Sequence, residues 1–195
     1  MDLLLQCARV FAGLTSYQYN IVIGRKGKTI SFSISFDYTH FHHLAGLHKL
    51  KDNYFLRTGS RKDIIEKILT GRLTCRDIQH SAFYSQIEPR LLPLSDLENF
   101  LDSNQIIFRY SKNKNPDSRI EADYLLQNIS PDSPVFLFTS EDAAAGSQIC
   151  RSIFPRGKYD YTKNQSKYTL LKKEKQNILT GKTTEQYISK SFAPR

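Results

Sequence analysis

The sequence lacks the features that mark several classes of protein. No apolar run approaches the ~20 residues that a membrane-spanning helix requires, and residues 135–138 (VFLF) are only as long as a strand. Met1 is followed by an acid, Asp2, and a short, interrupted apolar segment, whereas a signal peptide begins with a basic region. We therefore expect a cytoplasmic protein that does not enter a membrane.

Cysteine is scarce, and the motifs of common enzyme classes are missing. The three cysteines, Cys7, Cys75 and Cys150, are widely separated, and none belongs to a CxxC pair. This spacing predicts free, buried thiols in a reducing compartment, and neither a disulfide framework nor a zinc ribbon. The sequence has no GxSxG motif, no dinucleotide-binding glycine motif and no carboxylate cluster for Mg²⁺, so hydrolase triads, dehydrogenases and two-metal nucleases have no support.

Positive charge is in excess, and nearly all of the excess lies at one end. The 195 residues include 28 Lys and Arg against 19 Asp and Glu, a net charge of +9. Residues 151–195 alone hold 11 of these bases and 3 of these acids. Cations alternate there with aromatic residues, which suits phosphate neutralisation and base stacking; a solvated basic face is the alternative. The residues that we assign to RNA binding are Arg25, Lys26, Arg156, Tyr161, Lys163 and Lys167.

The spacing of apolar residues predicts both helices and strands. An N-cap at Asp2, followed by apolar residues on one helical face, predicts a helix over residues 3–11. Residues 19–23 and 29–36 have strand patterns on either side of GRKGK, which predicts a β-hairpin; GRKGK lacks the ending of a phosphate-binding P-loop. Helical periodicity follows over residues 37–102. Later strands are predicted at residues 105–110, 120–126, 135–139 and 168–173.

These elements predict a single α+β domain over residues 1–195. It would consist of an N-terminal helix and β-hairpin, a helical block, and then a four-stranded antiparallel sheet. The core would cover about residues 17–175, and residues 176–195 would form a basic C-terminal extension with a helix at residues 184–189. The connection over residues 140–167 is long for a compact domain, which is typical of binding or mobile loops.

Four of the five histidines fall within residues 40–48 (HFHHLAGLH). A helix here would place His40 and His43 on one face and turn His42 to solvent. Imidazoles exchange protons near neutral pH, so His40 and His43 are candidates for a general acid and base. A zinc site is a second interpretation, although no HExxH motif is present. The third is structural, with His48 in the core and the other rings on the helix surface.

The predicted strands supply further candidates. Arg109 ends one strand, and Tyr168 and Lys172 lie on the last one. A guanidinium fork suits a phosphate, an ammonium group supplies a point charge, and a phenol stacks or donates a hydrogen bond. Each also has an ordinary structural explanation, such as a surface ion pair for Arg109 and partial burial for Tyr168.

Several short blocks resemble a family of nucleases encoded by phages and mobile elements. The group is named for its similarity to barnase, EndoU, colicin tRNases and RelE. The resemblance covers about residues 17–175. The blocks are residues 19–25 (YNIVIGR), 39–50 (THFHHLAGLHKL), 154–156 (FPR), 160–162 (DYT) and 168–173 (YTLLKK).

The resemblance implies a BECR-type fold, with helices before a four-stranded antiparallel sheet, and a ribonuclease activity that needs neither metal nor cofactor. In such chemistry the ribose 2′-hydroxyl attacks the adjacent phosphorus and leaves a 2′,3′-cyclic phosphate and a 5′-hydroxyl. The protein supplies a base, an acid and cations around the phosphate. The block His40-Phe41-x-His43-Leu44 is the best match, and Arg109, Tyr168 and Lys172 are weaker ones.

Our hypothesis from the sequence is a toxin-like ribonuclease that binds RNA. His40 and His43 would exchange protons, Arg109 and Lys172 would hold the phosphate, and Tyr168 or Tyr161 would stack a base. The alternatives are a non-catalytic RNA-binding or protein-interaction factor of a phage or integrated element, and a metal hydrolase at the His cluster. A further expected partner is an acidic antitoxin or immunity protein.

Overall fold

The structure is a computed structural model that describes residues 2–128 and 134–192. Within these residues the α-helices are α1 (Leu3–Leu14), α2 (Tyr38–Leu44), α3 (Tyr54–Thr58), α4 (Arg61–Leu69), α5 (Cys75–Gln79), α6 (Glu88–Ser95) and α7 (Leu97–Asp102). The strands are β1 (Tyr17–Arg25), β2 (Lys28–Ile34), β3 (Gln105–Arg109), β4 (Tyr124–Asn128), β5 (Val135–Asp142), β6 (Ser147–Pro155), β7 (Ser166–Asn177) and β8 (Thr183–Ile188).

Seven strands close into a barrel in the order β1-β2-β6-β5-β4-β3-β7, with β7 pairing to β1. Six of the seven junctions are antiparallel, and the exception is the parallel contact of β2 with β6 at Ile34 and Gln148. The predicted fold, a four-stranded antiparallel sheet after a hairpin and a helical block, was therefore wrong. The first hairpin is not separate from the later strands but belongs to the same barrel.

The long strand β7 explains the closure. Its first residues pair with β3, through Tyr168 opposite Ile107, and the rest of the strand pairs with β1 on the other side. The register of the β1–β7 pairing shifts between Val22 and Ile23, where β7 holds one extra residue, Leu171. β8 then joins β7 as an eighth, antiparallel strand outside the circle.

Two segments take another conformation than predicted. Residues 140–167 do not form one long loop, because a turn with a left-handed Gly146 (φ 62°) reverses the chain into β6. Successive residues of β6 are buried, since α2 and α6 pack on this strand, and the polar alternation that marks a strand is therefore absent. Residues 184–189 were predicted to be helical, but β8 is a strand that follows a turn at Gly181 (φ 71°).

Other local predictions are confirmed. Helix α1 starts at Asp2, whose carboxylate accepts a hydrogen bond from the Leu5 amide at 2.9 Å. The hairpin β1–β2 turns through Lys26 and Gly27, both with positive φ, which is the geometry of a tight hairpin turn. All three cysteines are free and buried. Across residues 2–128 and 134–192, no helix has both the length and the apolar character to cross a membrane.

Candidate active site

A groove of about 910 Å³ lies between the histidine segment, α6 and the barrel. Five cationic side chains line it, against two carboxylates, Glu121 and Asp123. Both carboxylates are paired, Glu121 with Lys112 at 2.9 Å and Asp123 with Arg109 at 3.1 Å. The groove therefore favours an anionic ligand. Its lining residues are His43, His48, Lys49, Lys51, Gln86, Arg90, Arg119, Ile120, Glu121, Ala122, Asp123, Ser140, Arg151 and Ser152.

Two imidazoles stack in this groove. Helix α2 begins at the N-cap Asp37 and carries His43 in its last turn. Gly46 then takes a left-handed conformation (φ 78°), which starts a 3-10 turn over Leu47–Lys49 and brings His48 back beside His43. The two rings are nearly parallel, with centroids 4.4 Å apart and 7° between their planes.

Both rings are held in the neutral form at pH 7. Desolvation, with the charges of Arg151 and Arg90, lowers the pKa of His43 below its usual 6.5. Desolvation and the neighbouring His43 lower the pKa of His48 to about 4. A neutral imidazole accepts a proton, so either ring can act as a base.

A lysine beside the two rings also has a lowered pKa, but it stays protonated at pH 7. Desolvation, together with the charge of Arg90, lowers the pKa of Lys49 to about 8. Lys49 therefore remains a cation at pH 7 but releases its proton more easily than an ordinary lysine. The groove thus combines a neutral base with a protonated acid, a separation that acid-base chemistry requires.

Two arginines hold guanidinium groups at the groove wall. Arg90 is buried, donates from Nη1 to Ser152 Oγ at 2.7 Å, and lies 5.5 Å from the ring centroid of Phe154. Arg151 donates from Nε to Ser140 Oγ at 2.6 Å. One hydrogen bond fixes each guanidinium in place, and its remaining N–H groups can bind a phosphate.

A sequence model of the phage-Barnase-EndoU-ColicinE5/D-RelE like nuclease4 family, PBECR4, matches residues 3–190. The chain belongs to this family. The predicted membership in a phage-related nuclease family of the BECR type is therefore confirmed. Comparisons with curated proteins and with solved structures give no significant match.

In this PBECR4 protein, the structure does not bring His40 into the groove together with His43. His40 Nε2 lies 3.8 Å from Asp142 Oδ2, at the end of β5. Desolvation lowers the pKa of His40, although Asp37 and Asp142 oppose this shift. The charge of Arg151 lowers the pKa of both His40 and His43, but His40 does not line the groove.

His42 was predicted to face solvent, and this was wrong. Its side chain is buried, because the face of α2 that carries it packs toward α3 and α4. Its Nε2 lies 2.7 Å from the carbonyl oxygen of Leu56 and 2.9 Å from Arg61 Nη1. Burial lowers the pKa of His42 to about 4.

The predicted strand residues of the PBECR4 chain lie outside the groove. Arg109 pairs with Asp123 and lies 4.9 Å from the ring centroid of Tyr124, in a neighbouring cavity of about 220 Å³. Asp123 lines both cavities and separates Arg109 from the imidazoles. Tyr168 packs against the core opposite Ile107. Lys172 forms an ion pair with Glu174 at 2.7 Å.

Two of the predicted RNA-binding residues, Arg156 and Tyr161, line a cavity of about 490 Å³ that shares Lys49, Arg90 and Arg119 with the groove. The other four predicted residues line neither cavity. Arg25 and Lys26 lie at the β1–β2 turn, Lys163 lies in the turn before β7, and Lys167 pairs opposite Phe108.

Among the groove side chains that the sequence reasoning missed are His48 as a groove residue, Lys49, Arg90 and Arg151. His48 is the last histidine of the cluster and Lys49 follows it, so Gly46 was the available signal for a turn before them. Arg90 and Arg151 are far from the cluster in sequence, and only the packing of α6 and β6 brings them to it. Within residues 2–128 and 134–192, no three His, Cys, Asp or Glu side chains group as ligands for a metal ion.

Proposed function

We propose that this PBECR4 protein is a metal-independent ribonuclease whose active site is the groove of His43, His48, Lys49, Arg90 and Arg151. The observation that carries the proposal is the stacked imidazole pair among groove cations, because RNA cleavage needs a base, an acid and positive charge around one phosphate. Membership in a nuclease family supports the reaction class.

His43 is the proposed base. Its ring is exposed in the groove and neutral at pH 7, so it can take the proton from a ribose 2′-hydroxyl. The 2′-oxygen then forms a bond to the adjacent phosphorus. Lys49 is the proposed acid, which gives its proton to the departing 5′-oxygen as the phosphorus–oxygen bond breaks. The products are a 2′,3′-cyclic phosphate and a 5′-hydroxyl end.

The guanidinium groups of Arg90 and Arg151 stabilise the negative charge that builds up on the phosphoryl oxygens. Their positions are set before substrate binds, by Ser152 and Ser140, so little reorganisation is needed during the reaction. His48 supports the base, because its neutral ring packs flat on His43 and adds no competing charge.

Cleavage of total RNA in the presence of EDTA tests the proposal. The wild-type protein is expected to degrade RNA to fragments with 2′,3′-cyclic phosphate ends, read by end-specific labelling and mass spectrometry. His43→Ala should reduce the rate on the order of 10²–10⁴-fold, the usual contribution of a general base.

His80→Ala is the matched control, because His80 is exposed and lines none of the groove cavities. This variant should cleave like the wild type. Intact RNA with the wild-type protein, or equal rates for the wild type and His43→Ala, would refute a catalytic role for the groove. Salt-sensitive RNA binding without turnover would instead favour the non-catalytic RNA-binding alternative.

The proposal extends to a toxin-like role with an acidic inhibitor. The cations of the groove form a surface that an acidic antitoxin or immunity protein would cover, since such a partner would pair with the charges that otherwise bind phosphate. Induced expression of the wild type should arrest growth of a bacterial host, and expression of His43→Ala should not. Equal growth of the two cultures would contradict the toxin-like role.

A further inference from the structure

A small cavity of about 260 Å³ adjoins the basic cavity, the one of about 490 Å³ that shares Lys49, Arg90 and Arg119 with the groove. The small cavity shares Tyr159 and Tyr161 with the basic cavity. Its other walls are the segment 114–118, so that a loop after β3 faces the loop after β6. The two loops are joined, because Asn115 Nδ2 donates to the carbonyl oxygen of Tyr161 at 3.3 Å. Three adjoining cavities that share lining residues therefore lead from the small cavity to His43.

The two tyrosines have different surroundings. Tyr161 contacts Phe136, Phe138 and Phe154, with ring centroids 5.4–5.8 Å away, and is anchored in a small aromatic core. Tyr159 is 63% exposed, and its ring centroid lies 6.5 Å from that of Tyr161. An exposed ring on an anchored neighbour is a stacking platform for another flat group.

The small cavity and the basic cavity differ in charge, so a nucleobase and a phosphate would bind in different places. Lys114 and Asp117 both line the small cavity, so its wall holds one cation and one carboxylate, and the Lys114 ammonium donates to the Asn164 carbonyl oxygen at 2.8 Å. This wall therefore has no net positive charge to attract a phosphate. The adjoining basic cavity instead presents Arg119 and Lys158 to an anion.

We propose that the Tyr159 cavity binds one unpaired nucleobase of a single-stranded RNA, whose phosphates follow the basic cavity toward His43. The inference rests on the proposed function, and it names the substrate class: a base can enter between the two loops only when it is free of a duplex. Stacking on Tyr159 holds the base, and the cations of the intervening cavity hold the chain.

The test measures binding apart from cleavage, in a His43→Ala background. A fluorescently labelled, unstructured 10-nucleotide RNA is titrated, and its anisotropy is compared with that of a duplex of the same sequence and of an abasic RNA of the same length. We expect the single strand to bind at least tenfold more tightly than the abasic strand. Tyr159→Ala should weaken binding of the intact strand roughly tenfold and leave binding of the abasic strand unchanged.

Three control variants separate the effect of stacking from effects on folding and charge. Tyr159→Phe keeps the ring and should bind like its parent, and Tyr54→Ala removes a similarly exposed tyrosine on α3, outside these cavities, with no effect. Lys158→Ala should weaken binding of intact and abasic strands equally, because it removes only a phosphate contact.

The outcomes distinguish the subsite from the proposed function. If Tyr159→Ala weakens intact and abasic strands equally, or if duplex binds as tightly as single strand, the base site is overturned even where the wild type cleaves RNA. If Tyr159-dependent binding is found but the wild type cleaves nothing, the base site holds and the ribonuclease proposal fails. If no RNA binds, both fail.

Discussion

One lysine of the groove and one of the interior have similarly lowered pKa values but different surroundings. Lys49 in the groove and Lys173 in β7 both have a pKa lowered to about 8 by desolvation. Lys173 is fully buried and donates to the carbonyl oxygens of Leu101, Asp102 and Ser103, at the end of α7. Within the described residues, the Lys49 ammonium has no hydrogen-bond or ion-pair partner in the protein.

The histidines repeat this contrast. His42 and His48 both have a pKa lowered to about 4, but His42 is buried against Leu56 and Arg61, whereas His48 opens onto the groove. A shifted pKa therefore does not identify a catalytic group by itself. The groups that remain for a ligand are those whose hydrogen-bonding capacity the fold leaves unused.

The largest expected effect is the loss of stability on changing Lys173 to Met. This change removes the ammonium that donates to three carbonyl groups, of which that of Leu101 is buried, and it removes a cation from the C-terminal end of α7. We expect the free energy of unfolding to fall by about 4 kcal/mol in urea titrations.

Lys172→Met is the matched control for Lys173→Met. Lys172 is the preceding residue and, in the part of the chain that the structure describes, forms an ion pair with Glu174 at the surface, so its loss should change the free energy of unfolding by less than about 0.5 kcal/mol. Equal effects of the two changes would contradict the structural role of Lys173.

The stability of the protein should fall in acid because of His42. The folded protein binds a proton at His42 only near pH 4, whereas the unfolded chain binds one near pH 6.5, so the unfolded state gains protons first as the pH falls. His42 stabilises fully above pH 6.5, and this contribution, at most about 3 kcal/mol, is lost between pH 6.5 and pH 4.

Urea titrations at pH 7 and pH 4.5 measure this dependence. His42→Gln should be less stable at pH 7 but should lose less stability than the wild type between the two pH values. His80→Gln, at an exposed position, should behave like the wild type at both. A steeper loss in His42→Gln would contradict the assignment.

The corresponding change in the groove should affect cleavage instead of stability. Lys49→Met should reduce kcat on the order of a hundredfold, because the leaving oxygen loses its proton donor, with the free energy of unfolding changed by less than about 0.5 kcal/mol. The wild-type rate should rise with pH through the pKa of His43, below 6.5, and fall near pH 8 as Lys49 loses its proton.

Lys49→Arg sharpens this prediction. Arginine keeps the charge but holds its proton far above pH 8, so the residual activity should lose its alkaline limb. If the alkaline limb stays near pH 8 in this variant, Lys49 is not the acid.

The smallest expected effect is that of Gly46→Ala. A Cβ at this left-handed position would lie 3.1 Å from Arg90 Cδ and 3.1 Å from Ile87 Cγ2, so both the backbone and Arg90 must adjust. We expect a loss of about 1 kcal/mol of stability with a several-fold rise in KM for RNA. Gly71→Ala is the control, since Gly71 is also left-handed (φ 71°) but a Cβ there meets no atom within 4 Å. Equal behaviour of both variants would show that Gly46 does not position Arg90.

Features that depend on residues close together in the sequence could be predicted from the sequence. Helix α1, the first hairpin and the family were all readable from short stretches. Barrel closure was not, because it depends on pairing residues 17–24 with residues 169–177, which no local pattern specifies. Strand β6 was missed because it is buried on both faces, and β8 because its residues share no clear alternation.

The candidate site could likewise be predicted only in part. His43 lines the groove, but the partner expected for it, His40, does not and lies beside Asp142 instead. A single left-handed glycine decides that His48 and not His40 meets His43. The catalytic role of His43, like those of Arg109, Tyr168 and Lys172, stays a prediction.

The barrel has fewer paired residues at the junction of β2 and β6 than at its other junctions. One residue pair, Ile34 with Gln148, joins these strands, supported by the Ser35 amide donating to the Gln148 carbonyl at 3.0 Å. Local opening of the barrel should begin at this junction, because fewer hydrogen bonds must break there than at any antiparallel junction. Amide deuteration would then enter along the outer edge of β2 well before it reaches β1, which is flanked by β2 and β7.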